Sequence, residues 1–218
     1  MIFSKSKMTT TLLFLLSSPF LLMGCQQIQS ATNQQALQTQ LKVKKESDVA
    51  KLQRLAEQGD VKSQFNLAER YREGIEINID CDKATYWYNK AANEGDIAAQ
   101  SNLGVMYSLG YCVSQDYNKA VYWYTKAADQ GDVAAQFTLG DLYHKGYGVP
   151  QDYNKAIYWY TKAASQDYPF AQYAIATMYE KGQGVRQDYA IAKEWYDKAC
   201  DIGFQSSGCD EYKTNYSK

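Results

Sequence analysis

From residue 46 onward, apolar and polar residues alternate at helical rather than strand spacing. In "QDYNKAIYWYTKAA", Tyr153, Ala156, Trp159, Tyr160 and Ala163 fall at i, i+3, i+6, i+7 and i+10, one stripe along one helix face. The stretch 36 residues earlier, "QDYNKAVYWYTKAA", carries the same stripe. Residues 56–91, 92–127, 128–163 and 164–199 align without a gap, so Gly74, Gly110, Gly146 and Gly182 coincide, as do Trp87, Trp123, Trp159 and Trp195. A period of this length marks a solenoid, in which each unit buries its apolar faces only against its neighbours.

Each unit predicts two helices, A and B. Asp60, Asp96 and Asp132 stand where a carboxylate can cap the first free N–H groups of helix A. The shared glycine ends helix A, because a left-handed residue after the last turn costs glycine no Cβ clash. Asp80, Asp116, Asp152 and Asp188 cap helix B. The fourth unit departs from the pattern, with Asp167, Tyr168 and Pro169 in place of Gly-Asp-Val, and proline is acceptable at a first helical position. Val49, Leu52, Leu55 and Ala56 predict a capping helix over 46–55, and residues 200–218 a C-terminal cap. The expected fold is all-α: four helix-turn-helix repeats over 56–199 between two terminal caps.

The N-terminus follows other rules. Lys5 and Lys7 precede an apolar run from Leu12 to Met23, which is too short for the roughly 20 residues of a spanning helix. A basic stretch before a short apolar one reads as a secretory signal over 1–24. "LMGC" at its end resembles a bacterial lipobox, which implies cleavage before Cys25 and lipid on its thiol. An ordinary signal and an uncleaved anchor are the alternatives. Several acyl chains on Cys25 exceed the two signals that stable anchoring needs. Gln26 and Gln27 after it include no Asp, which by resemblance to the sorting rule of bacteria with two membranes implies the outer membrane, facing the periplasm. The Gln-, Ser- and Thr-rich remainder of 25–45 reads as a tether.

Charge and cysteine count narrow the function. A net charge of −1 argues against binding nucleic acid through phosphate attraction. Five cysteines are an odd number for an exported chain, and assigning Cys25 to lipid leaves Cys81, Cys112, Cys200 and Cys209, an even set for an oxidising compartment.

The wording "AAQFTLGDLYHKGYGVPQDYNKAIYWYTKAA" (134–164) resembles the Sel-one-like repeat proteins, relatives of the tetratricopeptide repeats. The resemblance covers about residues 56–210. It implies a right-handed α-solenoid that serves as a protein-interaction scaffold, with helix A lining the concave side. "KACDIGFQSSGCDEY" resembles that family's cysteine-rich branch, which implies a Cys200–Cys209 bond where other units place Ala56/Phe65, Ala128/Phe137 and Ala164/Tyr173. Cys81 replaces the tyrosine that opens helix B, and Cys112 the second turn glycine of the next unit. Neighbouring turns bring these two together only if their Cα atoms lie within about 7 Å.

Catalytic signals are sparse. The cysteine-rich branch has been associated with penicillin binding and weak β-lactamase activity, so a β-lactam-binding enzyme is the rival reading. Serine enzymes of that kind use S-x-x-K with K-T-G, and here S-x-x-K occurs only at Ser4–Lys7, within the signal, while K-T-G is absent. The lone histidine, His144, reads as a solvated residue late in a helix A. No metal, nucleotide or other cofactor motif appears, and the oligomeric state is not legible.

Two surfaces vary or repeat in informative ways. On helix A, the positions off the core stripe differ between units: Asn66, Glu69, Glu73; then Asn102, Val105, Leu109; then Thr138, Asp141, Lys145; then Ala174, Thr177, Lys181. Each trio lies on one helix face. The strip reads as acidic in the first unit and basic in the fourth, a groove for a partner protein in the periplasm or envelope; as unconstrained exposed positions, the same residues make a passive spacer. On helix B, Tyr86, Tyr122 and Tyr158 point away from the buried alanines, with lysines at i−3 and i+4. That row is either lysine stems packed on rings or a basic aromatic ladder suited to glycan or an acidic partner.

Overall fold

The computed structural model describes residues 33, 48–201 and 209. They belong almost wholly to a unit running from Val49 to the C-terminus. Residues 48–57 are helical (α1), the cap ending two residues later than its pattern predicts. Then follow α2 (Val61–Glu73), α3 (Cys81–Asn93), α4 (Ile97–Leu109), α5 (Tyr117–Asp129), α6 (Val133–Lys145), α7 (Tyr153–Ala164), α8 (Pro169–Lys181) and α9 (Tyr189–Asp201). The even-numbered members are the A helices and the odd-numbered ones from α3 the B helices. Among the described residues there is no strand. From α2 onward each helix packs on the next in sequence, and α4 also touches α6, as A helices on one side of an all-α solenoid do.

The caps form as the aspartates require. Asp60, Asp96 and Asp132 accept from the third backbone N–H of α2, α4 and α6 at 2.6–2.7 Å. Asp80, Asp116, Asp152 and Asp188 do the same for the B helices at 3.0–3.1 Å. Tyr168 makes no side-chain cap, and Pro169 begins α8 instead.

The core is a series of seams between repeats. Trp123 lies in the cluster built from the first repeat's Leu67, Tyr88 and Ala91, and Trp159 in the cluster of the second, with Leu139. Trp87, Trp123 and Trp159 are buried, and Tyr86, Tyr122 and Tyr158 stand edge-on against them at 4.9–5.0 Å. Trp195 is only half-buried. Glu194 stands where its counterparts have that tyrosine, so the ring loses its aromatic cover, and Lys198 lies over it at 4.3 Å.

A second tie is polar. Gln64, Gln100 and Gln136 are buried near the start of their A helices, and each donates to the carbonyl that ends the preceding helix: Ala56, Ala92 and Ala128. Gln130 and Gln166, from the end of the following B helix, then donate to Gln100 and Gln136 at 2.7 and 2.9 Å. The equivalent place in the first repeat holds Glu94, whose carboxylate has no proton to give, and Gln64 Oε1 is buried without a partner. A buried acceptor left unpaired costs about 1–3 kcal/mol. Glu94→Gln is therefore expected to raise stability by about 1 kcal/mol, read as a higher urea midpoint at unchanged slope. An unmoved midpoint would contradict the missing rung.

Candidate interaction surface

The face offered by the A helices begins with the tyrosine that follows each tryptophan. Tyr88, Tyr124, Tyr160 and Tyr196 are buried, and a buried phenol needs an acceptor for its proton. The first repeat supplies Glu69, which accepts from the Tyr88 hydroxyl. The third supplies Asp141, 2.6 Å from the Tyr160 hydroxyl. In the fourth, Tyr196 donates to Glu180 at 2.9 Å and lies 3.3 Å from Thr177 Oγ1. The second has Val105 at that position, and Tyr124 reaches only Ser108 Oγ, at 3.5 Å.

These contacts change the meaning of the variable trios. Glu69 also accepts from Asn102 of the next repeat at 2.8 Å and pairs with Arg72 at 2.6 Å. Arg72 pairs with Glu73 as well, at 2.6 Å, and Lys145 pairs with Asp141 at 2.7 Å. Arg72 reduces the first repeat's negative charge, since two carboxylates share one guanidinium, and the third repeat's pair is neutral. Asn66, Glu73, Lys145 and Lys181 are exposed, whereas Asn102, Thr138, Ala174 and Thr177 are half-buried. What stands out is uncharged: α4 carries no Asp, Glu, Lys, Arg or His, and Val105 and Leu109 are 39% and 71% exposed. The acceptor role of Glu69 and Asp141 was missed because their positions vary in identity. The signal was available, since the tyrosine they serve is the same in every unit and lies on the buried stripe.

Burial pushes the phenols of Tyr88, Tyr124, Tyr160 and Tyr196 above their ordinary value of 10.0, and the carboxylates of Glu69, Asp132, Asp141 and Glu180 push each further in turn. A folded-state value above the unfolded one means stability that is complete below pH 10 and lost as pH rises beyond it. Far-UV ellipticity should hold up to about pH 10 and fall above it; loss of helix below pH 9 would contradict this.

The B face divides its lysines. Lys90, Lys126 and Lys162, at i+4, lie over the Tyr86, Tyr122 and Tyr158 rings at 5.1–5.7 Å. The i−3 lysines do not join them. Lys83, Lys119 and Lys155 lie 5.1 Å from the A-helix rings of Tyr71, Tyr107 and Tyr143 and pair with the capping aspartates. The ladder therefore has one lysine per ring, a contact worth about 0.5–1 kcal/mol at an exposed site. His144 is likewise not simply solvated: it is half-buried, Nε2 lies 3.1 Å from Gln183 Oε1, and its ring lies 5.2 Å from Tyr153.

The cysteines form Cys81–Cys112 and Cys200–Cys209, with Cα separations of 4.9 and 5.8 Å. Cys25 and the Ser4–Lys7 motif lie outside the described residues. Among the described residues no group of His, Cys, Asp and Glu is placed to hold a metal ion, and no helix is long and apolar enough to cross a membrane.

Helix pairs stacked in register, with a continuous row of A helices on one side, define a helical-repeat protein of the tetratricopeptide kind. The Sel1 repeat profile matches residues 61–96, 97–132, 133–168 and 169–204, and the chain belongs to that family. Its members serve in general as scaffolds for protein–protein interaction. The chain is 38% identical to c5321, a protective antigen of uropathogenic Escherichia coli strains with an SLR fold, over 78% of this chain and 36% of that one, with a TM-score of 0.73. It is 32% identical to a Sel1 repeat protein from Oxalobacter formigenes, over 76% and 48%, with a TM-score of 0.67. The chain thus spans between about a third and a half of the length of these two proteins. Helicobacter pylori cysteine rich protein B, 24% identical over 61% of this chain and 94% of its own, has a TM-score of 0.47, too loose a likeness to bear on the cysteines. No curated protein matches the chain.

Proposed function

We propose that this protein is a lipid-anchored scaffold of the bacterial envelope, held by Cys25 in the outer membrane with its repeats facing the periplasm. It captures a partner protein on its A-helix face, centred on the second repeat. The observation that carries the surface is Leu109, 71% exposed at the end of a helix without a single charge, between Glu73 and Lys145 of the adjoining repeats. A large exposed side chain on an otherwise polar face loses unfavourable hydration when a partner covers it. The anchor is supported by "LMGC" after a short apolar run, and an oxidising compartment suits two disulfides that use every cysteine except Cys25.

Leu109→Asp is expected to weaken partner capture at least about tenfold while helix content and melting stay as they were. Unchanged capture would overturn the surface. Glu69 is not a clean probe, because it holds Tyr88 and Asn102 and its removal disturbs the fold. Mass spectrometry of the mature N-terminus tests the anchor separately, and an unmodified Cys25 would remove it.

A further inference from the structure

The two disulfides occupy different surroundings. Cys200 and Cys209 are 9% and 3% exposed, within the last core cluster beside Tyr196. Cys81 and Cys112 are half-buried, flanked by the exposed Ile79 and Tyr111.

The register explains what the second bond does. Positions 81 and 112 are 31 residues apart, and the same offset joins Tyr117 to Gly148 and Tyr153 to Gly184. At those two junctions the turn glycine lies directly against the start of the preceding repeat's B helix. A Cβ on Gly148 would come within 2.4 Å of the Tyr117 carbonyl, and one on Gly184 within 2.9 Å of that of Tyr153. The first junction puts a side chain on both partners. Cys112 moreover sits at φ +62°, in the left-handed region that its sister positions fill with glycine. Two sulfurs in this space are compatible with the close approach when bonded; as separate thiols they need the room that the sister junctions lack.

We propose that Cys81–Cys112 is a thiol-exchange site that clamps the first repeat to the second, and that it opens selectively. A dithiol reductant attacks one sulfur of this half-buried bond, releasing the other cysteine as a thiol and forming a mixed disulfide. Its second thiol then displaces the remaining cysteine. Two electrons and two protons pass to Cys81 and Cys112, and the reductant leaves as a cyclic disulfide. The junction keeps its Asn102–Glu69 bond and the Tyr111 hydroxyl on the Arg72 carbonyl at 3.3 Å, so it loosens without global unfolding. In a solenoid, where a repeat touches only its neighbours, the loosening stays local. The consequence, which rests on the proposed function, falls beside the Leu109 surface, because Tyr111, two residues on, bonds to Arg72 of the first repeat.

The test uses the full chain carrying Cys25→Ser, titrated with dithiothreitol and mapped by mass spectrometry. Cys81–Cys112 should open at a reductant concentration at least about tenfold below that needed for Cys200–Cys209; simultaneous opening, or the reverse order, overturns selectivity. After selective reduction, amide exchange in α2 and α3 should quicken at least about tenfold, with α6 to α8 unchanged. Unchanged exchange in α2 and α3 overturns the clamp. Cys81→Tyr with Cys112→Gly restores the sister pairing and should stay protected in reductant. If it is as loose as Cys81→Ser with Cys112→Ser, the register argument is wrong.

Discussion

Replacing Gly148 by valine is expected to cost about 3–5 kcal/mol, among the largest losses any single turn position should give. Two effects add. Gly148 has φ +71°, which a β-branched residue adopts only under strain. Its new Cβ would also meet the Tyr117 carbonyl carbon and oxygen at 2.4 Å, and backbone does not yield as a flexible side chain does. The comparison variant is Gly131→Ala. Gly131 also has a positive φ, +94°, but nothing lies within 4 Å of the added atom. It should lose only about 1–2 kcal/mol, the conformational part alone. Urea denaturation of both variants checks this. Equal losses would mean that the turn does not press on the preceding repeat.

Trp123→Ala should destabilise by a similar amount, about 3–5 kcal/mol. The indole is buried in a cluster that spans the junction, with Leu67 and Tyr88 of the first repeat and Leu103 and Met106 of its own. Truncation therefore opens a cavity where the two repeats meet. Because stability in a stacked array is a sum of unit and junction terms, the melting transition should also broaden as the first repeat uncouples. Trp195→Ala should cost clearly less, since that ring is already half-exposed. If the two variants melt alike, the seams are not where the stability lies.

How much of this could be read from the chain varies with the physics. The period, the helix pairs, the aspartate caps and the tryptophan seams were legible, because each depends on residue identity recurring at one spacing. The cap helix ending at 57 rather than 55 is a boundary that periodicity does not set sharply. The Cys81–Cys112 bond was legible only as a question, since an offset of 31 residues says nothing about distance until the repeats are stacked. The A-helix surface was half legible. Variable positions marked the right face, but the ion pairs of Arg72 and Lys145 and the phenol contacts of Glu69 and Asp141 depend on side-chain reach across helices. They lower the charge of the first repeat and leave the apolar Val105 and Leu109 prominent in the second. The glutamine rungs passed unnoticed, although Gln64, Gln100, Gln136 and Gln172 recur at one position. A polar residue on the buried stripe is the sign of such a network, because it must find a partner there.

The scaffold reading rests on one face of the array being the one that docks. A photo-crosslinking residue placed at Leu109, and in a second variant at the exposed Tyr122 of a B helix, samples both faces in intact cells. The account predicts one discrete protein adduct from position 109 and none from 122. The same adducts from both positions, or an adduct from 122 alone, would contradict it.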